Sequence, residues 1–122
     1  MRTSQRFALL ALATLFVSLV LPVSLFAHAV LVNSNPKAGA TVKGPDLPVS
    51  LRFNVRIDGS RSRCVLVLPD GTNKTLVLDP QSKPEILTGK ATGLVTGKYK
   101  LQWQVLAADG HISRGDLTFT VE

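Results

Sequence analysis

Pro48-Val49-Ser50-Leu51-Arg52-Phe53-Asn54-Val55-Arg56 sets Val49, Leu51, Phe53 and Val55 against Ser50, Arg52, Asn54 and Arg56 in strict alternation. Successive side chains of a strand point to opposite faces, so this stretch predicts a half-buried β-strand with one apolar face. The pattern returns twice nearer the C-terminus. Over residues 98–105, Tyr99, Leu101, Trp103 and Val105 alternate with Lys98, Lys100, Gln102 and Gln104; over residues 116–122, Leu117, Phe119 and Val121 alternate with polar neighbours. Cys64-Val65-Leu66-Val67-Leu68 is a continuous apolar run, the pattern expected of a strand covered on both faces. Shorter strand candidates span residues 29–32, 74–78 and 85–88. Turn signals punctuate the chain at Asn35-Pro36, Lys43-Gly44-Pro45, Asp58-Gly59, Asp70-Gly71, Gly93, Gly97 and Asp109-Gly110. Asp70-Gly71 lies between two strand candidates and predicts a hairpin. About seven short strands and no helical period predict an all-β sandwich or Greek-key barrel.

The first 27 residues read differently. Arg2 and Arg6 precede a run, residues 7–21, that is apolar except for Thr14 and Ser18, and Pro22 and Ala27 follow. A basic start, an apolar core and a small residue before the cut describe a secretory signal peptide, 1–27, ahead of one domain, 28–122. An uncleaved anchor is the competing reading: the run is short of the roughly 20 residues a membrane span needs, but stretched through Pro22 to Phe26 it would just cross a bilayer. Both readings place the domain outside the cytoplasm. Ala27-His28-Ala29 is itself a cleavage-like pattern: a cut after Ala27 leaves His28 first, and a cut after Ala29 leaves Val30 first.

The chain carries a formal charge of +6, of which Arg2 and Arg6 contribute two, leaving +4 on the domain. Its basic residues are scattered, with one Trp and one Tyr available for stacking. The pattern is a solvated surface and argues against nucleic-acid binding. Cys64 is the sole cysteine, so no intrachain disulfide forms, and its apolar neighbours mark it as a buried strand thiol. No Ser-His-Asp set, P-loop, zinc-ligand cluster or pair of carboxylates with a reaction to serve is found.

The domain has two histidines, His28 and His111. As the first residue of a cleaved chain, His28 offers two nitrogen donors, its imidazole and a free α-amine. The amine has an ordinary pKa near 8, so a metal displaces its proton around neutral pH. A further nitrogen from His111 would complete a nitrogen-rich, tetragonal set that suits Cu(II), whereas Zn(II) prefers a tetrahedron. His111 stands in Ala108-Asp109-Gly110-His111. In an extended segment Asp109 and His111 project to the same side. The carboxylate would then supply a weaker oxygen ligand or accept a hydrogen bond behind the metal. Taken singly, a histidine near a terminus is usually a surface residue, and Asp-Gly-His is usually a turn.

His28-Ala29-Val30-Leu31 followed by Ser34-Asn35-Pro36-Lys37-Ala38-Gly39-Ala40 resembles the opening of the CopC copper-binding family, H-A-x-L and then S-x-P-x-x-G. Leu51-Arg52-Phe53 is similar to its L-x-F strand. Residues 97–105 match G-x-Y-x-x-x-W-x-V, and Ala108-Asp109-Gly110-His111 with Gly115 and Phe119 matches its A-D-G-H ending. The resemblance covers nearly all of the domain. It implies an Ig-like Greek-key β-barrel or sandwich in the periplasm or outside the cell. It further implies one Cu(II) per chain on the amine and imidazole of His28 with His111 and Asp109, no enzymatic reaction, and a role as copper chaperone, buffer or donor beside a CopD-type membrane protein. Two departures stand out. Many members carry a glutamate one residue after the L-x-F phenylalanine, where this chain has Asn54. The only methionine is Met1, so the soft thioether set that selects Cu(I) is missing. Two other functional classes fit parts of the pattern: a copper-brace oxidase of the polysaccharide monooxygenase type, which also uses an N-terminal histidine, and a metal-independent β-sandwich adaptor for a membrane partner.

Overall fold

The alternating runs become the strands that carry the core. The computed structural model describes residues 28–122, and the expected leader, 1–27, lies outside them. Eight strands follow in order: β1 (Leu31–Asn35), β2 (Thr41–Val42), β3 (Leu47–Phe53), β4 (Ile57–Val67), β5 (Asn73–Leu76), β6 (Ile86–Ala91), β7 (Gly97–Ala107) and β8 (Ile112–Val121). They form a three-stranded sheet, β1-β3-β6, facing a five-stranded sheet, β2-β8-β7-β4-β5. This is the two-sheet Ig-like arrangement, in which the chain changes sheet repeatedly and sequence neighbours are often not partners. Pairing is antiparallel except for β2, which runs parallel to β8 through Thr41↔Thr120 and Val42↔Val121.

The core lies between the sheets and is built from the inward halves of the alternating patterns. Val49, Leu51 and Phe53 of β3 meet Tyr99, Leu101, Trp103 and Val105 of β7 and Leu117, Phe119 and Val121 of β8, all buried. Phe53 and Trp103 pack edge to face with ring centroids 5.1 Å apart, and Tyr99 stacks on Phe119 at 5.4 Å. Gly115 pairs with Trp103 across the β7–β8 ladder, and a Cβ there would come within 2.3 Å of the indole. Glycine at 115 therefore makes room for the large ring.

The edges of the sandwich are partly closed, which brings the architecture near a barrel. β1 and β2 carry the N-terminal segment from one sheet to the other. Opposite them, the chain leaving β5 crosses towards β6, with an isolated bridge Leu78↔Gly89 and a hydrogen bond from the Asp79 N–H to the Thr88 carbonyl. A Cβ on Gly89 would sit 2.7 Å from the Val77 carbonyl oxygen, so that crossing needs a bare backbone.

Three expectations change, and one strand is added. The strand begun at residue 48 ends at Phe53 and not at Arg56: beyond it the backbone turns away, and Asn54 and Val55 lie outside the ladder. Asp58-Gly59 is part of β4 rather than a turn, because the long strand accommodates it at an irregularity in its pairing with β7 between Asp58 and Arg63. The run at 64–68 is covered on one face only. Cys64 and Leu66 are buried, while Val65 and Val67 are half-exposed on the outer face of the larger sheet. The two-residue β2 is too short to leave a periodic signature. The predicted Asp70-Gly71 hairpin is present, with the Gly71 N–H donating to the Leu68 carbonyl and β4 pairing antiparallel with β5.

Tyr99 has a role that alternation does not reveal. Its hydroxyl accepts from the Val95 N–H and donates to the Val95 carbonyl, both at 2.9 Å. It ties the start of β7 to the preceding loop, the tyrosine corner of Ig-like sandwiches. Tyr99→Phe keeps the ring but leaves both Val95 groups without this partner. It is expected to cost about 1–2 kcal/mol, read as a fall of about 4–8 °C in Tm for each kcal/mol. An unchanged thermal midpoint would show that the corner contributes nothing.

Candidate metal centre

The site is assembled at the end of the sandwich where β7 turns into β8. Leu106↔Ile112 is the last ladder pair before the loop. The Gly110 N–H donates to the Ala107 carbonyl and the Ala107 N–H to the His111 carbonyl. Gly110 sits at φ 89°, the left-handed conformation that glycine adopts without cost. This is a three-residue hairpin loop with glycine at its bulge position. Asp109 and His111 are therefore not carried on an extended segment, as the i, i+2 argument supposed. The turn brings them together instead: the Asp109 carboxylate accepts from the His111 backbone N–H at 3.0 Å and lies 3.1 Å from Nδ1 of the same residue. The Ala108 N–H donates to the Arg56 carbonyl, anchoring the loop to the chain between β3 and β4.

His28 arrives from the other end of the domain. Ala29 is buried, and its N–H donates to Ser113 Oγ at 3.0 Å. The Val30 N–H donates to Asn54 Oδ1 at 2.8 Å, and the Asn54 N–H returns to the Val30 carbonyl at 3.0 Å. Residues 29 and 30 thus run between the end of β3 and the start of β8. His28 is held beside His111, with ring centroids 6.2 Å apart and planes inclined at 65°. Both rings are exposed to solvent. Metal–imidazole bonds of about 2.0 Å, added to the radius of each ring, place two imidazoles on opposite sides of one ion about 6 Å apart. The observed spacing fits that arrangement.

The Asp109 contact also orients His111. A neutral tautomer with its proton on Nδ1, facing the carboxylate 3.1 Å away, would leave the Nε2 lone pair free. The His111 backbone N–H is the largest cause holding the Asp109 carboxyl below its ordinary range, followed among the lowering effects by the His111 side chain. Side chains alone do not close a centre: among the described residues no three His, Cys, Asp or Glu side chains are grouped to hold a metal. Cys64 takes no part. It is buried in the core, and burial pushes its thiol up to about 12.

Of the three predicted residues, His28 stands beside His111 and Asp109 contacts His111, all at one end of the fold, without forming a three-residue group. The sequence reading passed over Ser113 and treated Asn54 as a missing carboxylate. In the structure both hydrogen-bond the backbone next to His28. A serine two residues beyond the histidine carries no distinguishing signal, because its partner is remote in the chain.

Comparison with known proteins places this geometry. The CopC domain model matches residues 31–122. The chain belongs to the CopC family. It is 33% identical over 125 residues to Protein YobA of Escherichia coli (strain K12), covering all of both chains. It is 30% identical over 117 residues to Copper resistance protein C of Xanthomonas campestris pv. juglandis, covering 81% of this chain and 84% of that one. Among solved structures, CopC from Methylosinus trichosporium OB3b superposes with a TM-score of 0.70 at 34% identity, over 78% of this chain and 94% of that one. The family match spans Asp109 and His111 and begins three residues after His28.

The depressed Asp109 pKa carries a testable sign. A carboxyl whose folded pKa is lowered contributes stability above its ordinary pKa, and that contribution is lost as pH falls through the folded value. In the metal-free protein, carboxyl-carbon NMR is expected to show Asp109 titrating below the usual aspartate range. Most of the depression should survive His111→Ala, because the main cause is a backbone N–H. A return to the ordinary range in that variant would assign the effect to the imidazole.

Proposed function

We propose that this CopC-family protein binds one Cu(II) as cargo outside the cytoplasm, through the α-amine and imidazole of His28 and Nε2 of His111. The observation that carries the reading is the 6.2 Å approach of the chain's only two histidines, from opposite ends of the domain. Asp109, 3.1 Å from Nδ1, would favour the His111 tautomer that frees Nε2, acting behind the metal rather than on it. Among the described residues no three such side chains are grouped to hold a metal, and the amine of a chain starting at His28 would add a donor beside the two imidazoles. The likeness to Copper resistance protein C supports copper as the metal.

The packing of Ala29 supports cleavage after Ala27. A chain beginning at Val30 would lose a buried residue, its bond to Ser113 and the His28 donors together. The domain then acts as a carrier, taking up or handing over Cu(II) without a reaction, with a CopD-type membrane protein as the expected partner. The periplasm is the expected compartment.

The test is Cu(II) titration of protein purified from the secretory pathway, its N-terminus established by intact mass. One equivalent is expected, with nitrogen hyperfine structure in the EPR spectrum. Bound copper should also raise Tm, by about 2.7 kcal/mol of stabilisation when free Cu(II) is 100-fold above Kd. His111→Ala, or a chain extended ahead of His28, is expected to weaken binding more than about 100-fold, beyond the 10–100-fold typical of residues behind the ligands. Unchanged affinity in both would remove these residues from the centre.

A further inference from the structure

We infer that Ser113 and Asn54 are positioning residues that set His28 against His111 before any metal arrives. The inference rests on the copper reading above and concerns how the centre is built. The Ala29 N–H belongs to the peptide unit that also contains the His28 carbonyl. Ser113 Oγ, by accepting from it, grips the chain immediately after His28. Ser113 is buried and stands two residues beyond His111 on β8. One short stretch of β8 therefore follows one ligand and holds the backbone of the other.

Asn54 grips the next peptide unit. Its Oδ1 and backbone N–H form a reciprocal pair with the Val30 N–H and carbonyl. With both peptide units held, the freedom left to His28 is mainly rotation of its side chain and amine. The ordering cost of the backbone is then met in folding rather than in metal binding, which is the effect of preorganisation on affinity. Asn54 performs this with a neutral amide, so it is a structural pin at a position where a carboxylate would add charge beside the metal.

Two readouts test the assignment on the processed protein. In the metal-free state, backbone NMR relaxation should show residues 28–30 ordered in the parent, with order parameters falling below about 0.6 in Ser113→Ala and Asn54→Ala. In Cu(II) titrations, Ser113→Ala is expected to raise Kd about 10–100-fold while keeping one equivalent bound. Asn54→Ala should act in the same direction, and both should broaden the EPR spectrum. Ser113→Thr, which keeps the acceptor oxygen, should restore affinity and order. If Ser113→Ala does not fold, Asn54→Ala decides alone, since its side chain is exposed. Wild-type order and wild-type affinity in the folded variants would overturn the inference. A parent protein that holds no Cu(II) would instead overturn the copper reading, and that is settled before any variant is compared.

Discussion

The ladder between β7 and β8 runs through ten residue pairs, from Gly97↔Val121 to Leu106↔Ile112, and most of the molecule is indexed to it. A strand's side chains alternate with period two, so a slip of one residue would turn every core side chain outward. The register that buries Leu101, Trp103, Val105, Leu117 and Phe119 is also the register that ends the hairpin at Ala108-Asp109-Gly110. Core packing therefore decides where Asp109 and His111 stand. The close fit of Trp103 over Gly115 reinforces this register, because only a glycine opposite the indole leaves it space.

The N-terminal segment depends on the same strand. Ser113 faces inward at the start of β8 and offers the acceptor for the Ala29 N–H, while Asn54, just past β3, holds Val30. β3 belongs to one sheet and β8 to the other, so the segment leading from His28 is fastened to both halves of the sandwich. A site formed where two sheets and a terminus meet inherits its rigidity from the core without being buried in it. Exposure of both imidazoles would suit the proposed cargo, and the hydrogen bonds to residues 29 and 30 tie down a terminus that would otherwise be loosely held.

The residues around the pair differ in what they do. His28 and His111 bring nitrogen donors. Asp109 accepts from the His111 backbone N–H and lies against its Nδ1, in a loop whose shape Gly110 permits. Ser113 and Asn54 touch only backbone. Their contribution is geometric, which explains how a neutral residue serves at position 54. Cys64, the remaining soft ligand in the domain, is kept out of this chemistry by burial in the core.

Much of this was legible in the sequence. Period-two alternation identified β3, β7 and β8 with their inward faces, because burial of one sheet face imposes that pattern on each strand independently. His28, Asp109 and His111 were legible as chemistry, from the donors each residue type offers and the motif around them. Strand partners, the parallel pairing of β2 and the sheet changes were not, since they depend on contacts between residues remote in the chain. The end of β3 at Phe53 was hidden as well: Val55 continues the alternation although the backbone has already left the ladder. The approach of His28 to His111, and the grip of Ser113 and Asn54 on the segment between them, exist only once the two sheets are packed. Donor identity is a property of a residue, whereas the distance between donors is a property of the fold.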